Sequence, residues 1–133
     1  MGMISKRASI EEDTTFFRVV GEVEAEQALS EIISFLIRDP THLAIWDLAG
    51  GALQKLSAKD LKMIVERAAR YTGSRTGGRT AIVCENDLDY GLSTMFQAFA
   101  KVYEVPIEIQ VFTNRDRAQA WLDALPTSRD HDH

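Results

Sequence analysis

The five residues "TAIVC", Thr80–Cys84, constrain the fold more than any other stretch of this chain. Glycines precede them and the polar run "ENDLD" follows, so the segment has the length of a strand. Nearly every position is apolar, which is what a strand needs when both its faces are covered. That burial points to an inner strand of a parallel sheet, and parallel neighbours have to arrive through crossover connections, usually helices.

The rest of the chain supplies them. "MISKRASI" and "TTFFRVVGE" read as two strands joined by the polar turn Glu11-Glu12-Asp13, a hairpin. Ala25, Leu29, Ile32, Ile33 and Leu36 recur at helical spacing, with Glu24 and Glu26 where the helix dipole favours acids. Asp39-Pro40 stops that helix, because a residue before proline disfavours the α region. "HLAIWDL" is the next strand, and Trp46 inside it is expected to be substantially buried. Leu61, Ile64, Val65, Ala68 and Tyr71 form the stripe of a second helix, with Gly73 placed to end it and "SRTGGR" as a flexible connection. Leu88, Leu92, Met95, Phe99 and Val102 stripe a third. In "PIEIQVF", Ile107, Ile109 and Val111 alternate with Glu108 and Gln110, a strand with one wet face. Thr113 or Asn114 caps a last helix carrying Ala118, Trp121 and Leu122, expected to end at Pro126. The predicted order is β-β-α-β-α-β-α-β-α: an α/β fold with an N-terminal hairpin and a mostly parallel sheet. It occupies residues 1–126 as one domain, and 127–133 are a polar tail.

The 133 residues suit one domain whose core needs neither metal nor disulfide. A net charge of −5 argues against a general nucleic-acid binder. Cys84 is the only cysteine, which excludes an intramolecular disulfide and fits a reducing compartment. No apolar run has the length of a membrane span, the N-terminus lacks a signal-peptide core, and Lys6 stands where a myristoylation signal needs Ser or Thr. A soluble, cytoplasmic protein is expected.

Several stretches resemble the STAS domain, the SpoIIAA-like fold of anti-sigma factor antagonists. "GEVEAEQAL", Gly21 to Leu29, is similar to the family's G-E-[LV]-[DE]-x-x-x-A start. "IWDL" resembles its third strand, which ends in an Asp before a regulatory loop, and "VFTNRDRAQAWL" its closing strand and helix. "DLDYGLSTMFQAF" looks more like an uncharacterised bacterial STAS/Sec14-like branch. The resemblance runs from about Thr14 to Leu125. It implies helices gathered mainly on one face of the sheet and a protein that acts by binding other proteins, with related folds holding lipids or small ligands. It also makes Ser57 a candidate phosphosite, ten residues after Asp47, although "KLSAKDL" lacks the family's Asp-Ser before it and Gly-Leu after it.

Read as chemistry, "GGALQKLS" is no P-loop: Lys55 and Ser57 are separated by a leucine and the second glycine is missing. Ser57 heads S-x-x-D, a helix cap with Asp60 as its partner. Gly50 and Gly51 supply positive φ in a turn. Asp47, Glu85, Asp87 and Asp89 would hold a divalent cation if they met at the loop end of the sheet, but capping explains the last two better. Neither a metal nor a cofactor is expected. His42 lies towards the opposite end from those loops, and Cys84 reads as an inert buried thiol. His131 and His133 flank Asp132 in the tail. Arg75 and Arg79 flank glycines, where a solvated connector is favoured over an anion site. The third helix is apolar over more than one stripe, which fits either deep burial or a face kept for a partner. Asp47, Gly50, Gly51, Ser57, Asp87 and Tyr90 make up the candidate partner or ligand surface. The first reading is a non-enzymatic protein-interaction domain, possible also as a homodimer. The second is a small-ligand or lipid-binding module with an apolar pocket near the third helix. No nucleophile, base and orienting group assemble into a catalytic set.

Overall fold

The computed structural model describes residues 2–124. Five strands, β1 (Met3–Ser9), β2 (Thr14–Val20), β3 (Leu43–Ala49), β4 (Arg79–Cys84) and β5 (Glu108–Phe112), form one sheet in the order β1-β2-β3-β4-β5. β1 pairs antiparallel with β2, and every later pairing is parallel. The helices are α1 (Ala25–Arg38), α2 (Ala58–Ala68), α3 (Asp87–Val102) and α4 (Arg115–Asp123), as an α/β reading of the chain expects. Pro126 and the polar tail, with His131 and His133, lie outside the described residues.

Strand order follows chain order, so each crossover steps one strand in the same direction. Crossovers of one hand then put α1, α2 and α3 on the same face. Side-chain register agrees: Phe17, Trp46, Ile82 and Val111 are cross-strand partners, and they point towards that layer. The alternate row, Ile45, Ala81 and Val83, meets Ala118 and Leu122 of α4 on the other face. β4 is therefore covered on both sides, which is why "TAIVC" has no polar alternation. β5 keeps the alternation because Glu108 and Gln110 face solvent.

Two elements depart from the periodicity. After Ala68 the second helix tightens into a 3-10 segment, Ala69–Arg75, so Gly73 does not end the α-helix and Tyr71 turns outward. In α3 the most deeply buried side chains are Asp89, Ser93 and Ala100, while Leu88, Met95 and Val102 are exposed. A helix apolar on several sides leaves its rotation ambiguous from spacing alone. Two buried polar bonds fix it: Asp89 accepts from the Leu53 amide at 3.1 Å, and Ser93 Oγ lies 3.3 Å from Cys84 Sγ.

The centre of the core is aromatic. Phe17, 1 % exposed, stacks on Trp46 at 3.8 Å between ring centroids and meets Phe35 edge-on at 5.1 Å. Trp46 is substantially buried, as expected from its place inside β3, though not completely, because it borders a cavity between the sheet and the helices. Phe17→Ala removes the ring that both neighbours pack on. It should cost about 3–5 kcal/mol, read as a lower urea midpoint at unchanged slope.

Candidate functional site

The loop end of the sheet is built by main-chain groups seeking partners. Gly50 and Gly51 both have positive φ, +67° and +69°. A Cβ on Gly50 would sit 2.9 Å from the Gly21 nitrogen, so the β2 and β3 exits approach each other at a distance only glycine permits. The Gly21 amide donates to the Ala49 carbonyl at 3.0 Å, and the Val23 amide to that of Ala52 at 3.0 Å. Carboxylates take the amides left over: Glu85 accepts from Gly50 at 3.2 Å and Asp89, 0 % exposed, from Leu53. Lys55 reaches Glu24 at 3.1 Å, and that hydrogen bond and charge raise the lysine pKa above its usual value.

The predicted site residues separate into two groups. Gly50, Gly51, Ser57, Asp87 and Tyr90 belong to the loop after β3 and the starts of α2 and α3. Asp47 is not with them. It lies within β3 on the α4 face and is held by Arg18 at 2.7 Å and Arg115 at 3.3 Å. The four acids that would have made a cation site are thus dispersed: Asp47 on the other face, Glu85 and Asp89 on separate amides, and Asp87 exposed in the first turn of α3. Among the described residues no group of three or more His, Cys, Asp and Glu is placed to hold a metal.

Ser57 is an N-cap. Its Oγ accepts from the Asp60 amide at 3.1 Å while Asp60 Oδ2 accepts from the Ser57 amide at 2.9 Å, a reciprocal box. Asn86 and Asn114 cap α3 and α4 in the same way, each accepting an amide from three residues on.

The larger feature is the cavity, of about 140 Å³, between the sheet and α1–α3. Val19, Trp46, Leu48 and Ile82 form its floor, and Ile32 and Phe96 stand over it. Its border runs from Val23 and Leu53 at the loop end to Thr72, Arg75 and Thr80 where β4 begins. Apart from Ser93, those last three are its only polar neighbours among the described residues.

Arg75 and Arg79 are not solvated connectors. Arg79 Nη1 donates to the Trp121 and Ala124 carbonyls at 2.7 and 2.9 Å, at the C-terminal end of α4, where the dipole favours a cation. Arg75 is 4 % exposed. Its guanidinium donates to the Thr41, His42 and Arg79 carbonyls and to Thr80 Oγ1, and burial pulls its pKa down to about 10. Nothing in apolar spacing marks either role, because both depend on carbonyls that only the fold brings near. Burial also pushes the Cys84 thiol up, against the pull of Ser93, so the thiolate is disfavoured.

No family model matches the sequence, and no curated protein matches it either. Among the described residues no helix is long and apolar enough to cross a membrane.

Ser57→Ala should lower stability by about 0.5–2 kcal/mol, whereas Ser57→Asp should keep most of it, since a carboxylate also caps and suits the dipole. Chemical denaturation of the two variants side by side checks this. Equal losses in both would show that the cap bond contributes nothing.

Proposed function

We propose that this protein works by binding a small apolar ligand in the cavity between the sheet and α1–α3. The observation that carries the reading is the cavity itself. Protein interiors are packed to crystal-like density with few voids larger than a water molecule. A space of about 140 Å³ with almost wholly apolar walls is therefore a place where an apolar ligand gains burial that water there does not supply. An apolar cavity of about 150 Å³ stays dry and takes up benzene, so the ligand's hydrocarbon part has about six to eight carbons. Catalysis is not part of the proposal: Cys84 has its thiolate disfavoured and its sulfur turned to Ser93, which leaves no activated nucleophile at the cavity. Cytoplasmic residence belongs to the same proposal, and the lone buried thiol supports it.

Octanol is a suitable probe, with Trp46 as reporter once Trp121→Phe removes the other indole. We expect saturable change in Trp46 emission and, at ten times Kd, stabilisation by about 1.4 kcal/mol. Ala28→Leu, which places three carbons more at the cavity border, should weaken binding and raise Tm. Unchanged emission and Tm up to the solubility limit of octanol would end the ligand reading.

A second reading, the STAS-like protein-interaction domain, is favoured by a different observation. Leu88, Met95 and Val102 recur every seven residues on α3 and are 53 %, 37 % and 72 % exposed, with Tyr90 beside their first turn. Such a row suits a partner helix or a second copy of the chain, and the placement of α1–α3 on one face supports the family resemblance behind it. On this reading Val102→Glu shifts the sedimentation coefficient to that of the monomer and leaves the far-UV circular dichroism unchanged. A wild-type chain that is monomeric at 100-fold dilution and at about millimolar concentration, and that captures no partner, removes it.

A further inference from the structure

The end of the cavity where β4 begins holds an unusual group. Arg75 is drawn inward by the 3-10 segment, is almost wholly buried, and has no carboxylate within ion-pair distance among the described residues. A guanidinium has five N–H donors. Nε donates to the Thr41 carbonyl at 2.6 Å, Nη2 to those of His42 and Arg79 at 3.1 and 3.0 Å, and Nη1 to Thr80 Oγ1 at 2.8 Å. One N–H on Nη1 is left over. Thr80 Oγ1 accepts that bond, so its own hydrogen is also uncommitted among the described residues. Thr72, by contrast, donates its hydroxyl to the Ala69 carbonyl at 2.9 Å. Two adjacent donors, one on a cation, thus border a cavity whose remaining walls are almost entirely apolar.

Neutral carbonyls and the Phe35 ring, 5.1 Å from the guanidinium carbon, soften the cost of that charge but do not neutralise it. Burial pulls its pKa down to about 10, and the charge of Asp13 opposes that only in part. An anion with two acceptor oxygens matches the two donors at this end of the cavity.

We propose that the ligand is a medium-chain carboxylic acid, its carboxylate held by Arg75 Nη1 and the Thr80 hydroxyl and its hydrocarbon chain lying along Trp46 towards Phe96. The proposal rests on the cavity reading and adds the headgroup to it. A planar carboxylate presents two oxygens to two neighbouring donors, and hydrogen bonds to a charged group are worth more than neutral ones. The hydrocarbon supplies the apolar contact, and the carboxylate supplies orientation and the counter-charge.

The test compares probes of one chain length on the wild-type protein, so it does not depend on an Arg75 variant that folds. Octanoate, octanol and octyl phosphate are titrated at pH 7 by calorimetry and by Trp46 emission. Octanoate should bind at least about tenfold more tightly than octanol. Octyl phosphate should bind more weakly than octanoate, because a tetrahedral, more highly charged group does not match two donors in a buried end. Thr80→Val, close to threonine in shape, should remove most of the octanoate advantage while leaving octanol affinity within about twofold. Octanol binding as well as octanoate, or an advantage unchanged in Thr80→Val, overturns the carboxylate and leaves the cavity reading standing. Tighter binding of octyl phosphate overturns it in favour of a phosphate headgroup. Failure of all three probes overturns the cavity reading with it.

Discussion

A sheet whose strands are laid down in chain order, joined by crossovers of one hand, can place its connecting helices on one face only. Most of what is particular to this protein follows from that constraint. Three helices crowd one side and must cover five strands between them, and the layer they make leaves a pocket of about 140 Å³ against the sheet. Among the described residues the other side receives only α4, which spans β3, β4 and β5. Over β1 and β2 that face carries the exposed Arg7 and Arg18. Arg7 lies 4.4 Å from the centre of the Phe16 ring, and Arg18 pairs with Asp47. Asp47 thus serves the half-covered face, although it stands only three residues from the turn.

The two ends of the sheet are organised differently. At the loop end, orphaned amides of the turn after β3 meet carboxylates of the turn after β4, so the acids there act as acceptors for backbone donors. At the opposite end the roles reverse. Carbonyls of the segment entering β3 and of the start of β4 meet a guanidinium. Arg75 and Asp89 are therefore counterparts, each a charged side chain buried to satisfy main chain. They differ in surplus: Asp89 has a place for each oxygen, on Leu53 and Asn86, while Arg75 has one donor more than the carbonyls and hydroxyl around it use.

Strand and helix order were legible because apolar spacing reports which side of an element is dry, and "TAIVC" alone required cover on two faces. Caps were legible for a local reason: Ser57 and Asn114 satisfy amides three residues away, so the whole interaction lies in a short window of sequence. The rotation of α3 was not legible, because Leu88, Met95 and Val102 offer as good a stripe as the one that is buried. Asp89 and Ser93 decide between them through partners 36 and 9 residues distant. The cavity cannot be read from apolar spacing for the same reason taken further, and the pocket expected near the third helix came from the family resemblance. Apolar residues mark a core without telling how completely their volumes fill it. Arg75 was misread because glycine neighbours suggest exposure, whereas two of its four bonds reach across the chain to Thr41 and His42.

The cavity also has a mechanical meaning. The volume lost on unfolding scales with the space a fold leaves unfilled, so hydrostatic pressure acts on this molecule most where the pocket of about 140 Å³ separates the sheet from the helices. An apolar occupant of the proposed kind would stiffen it there.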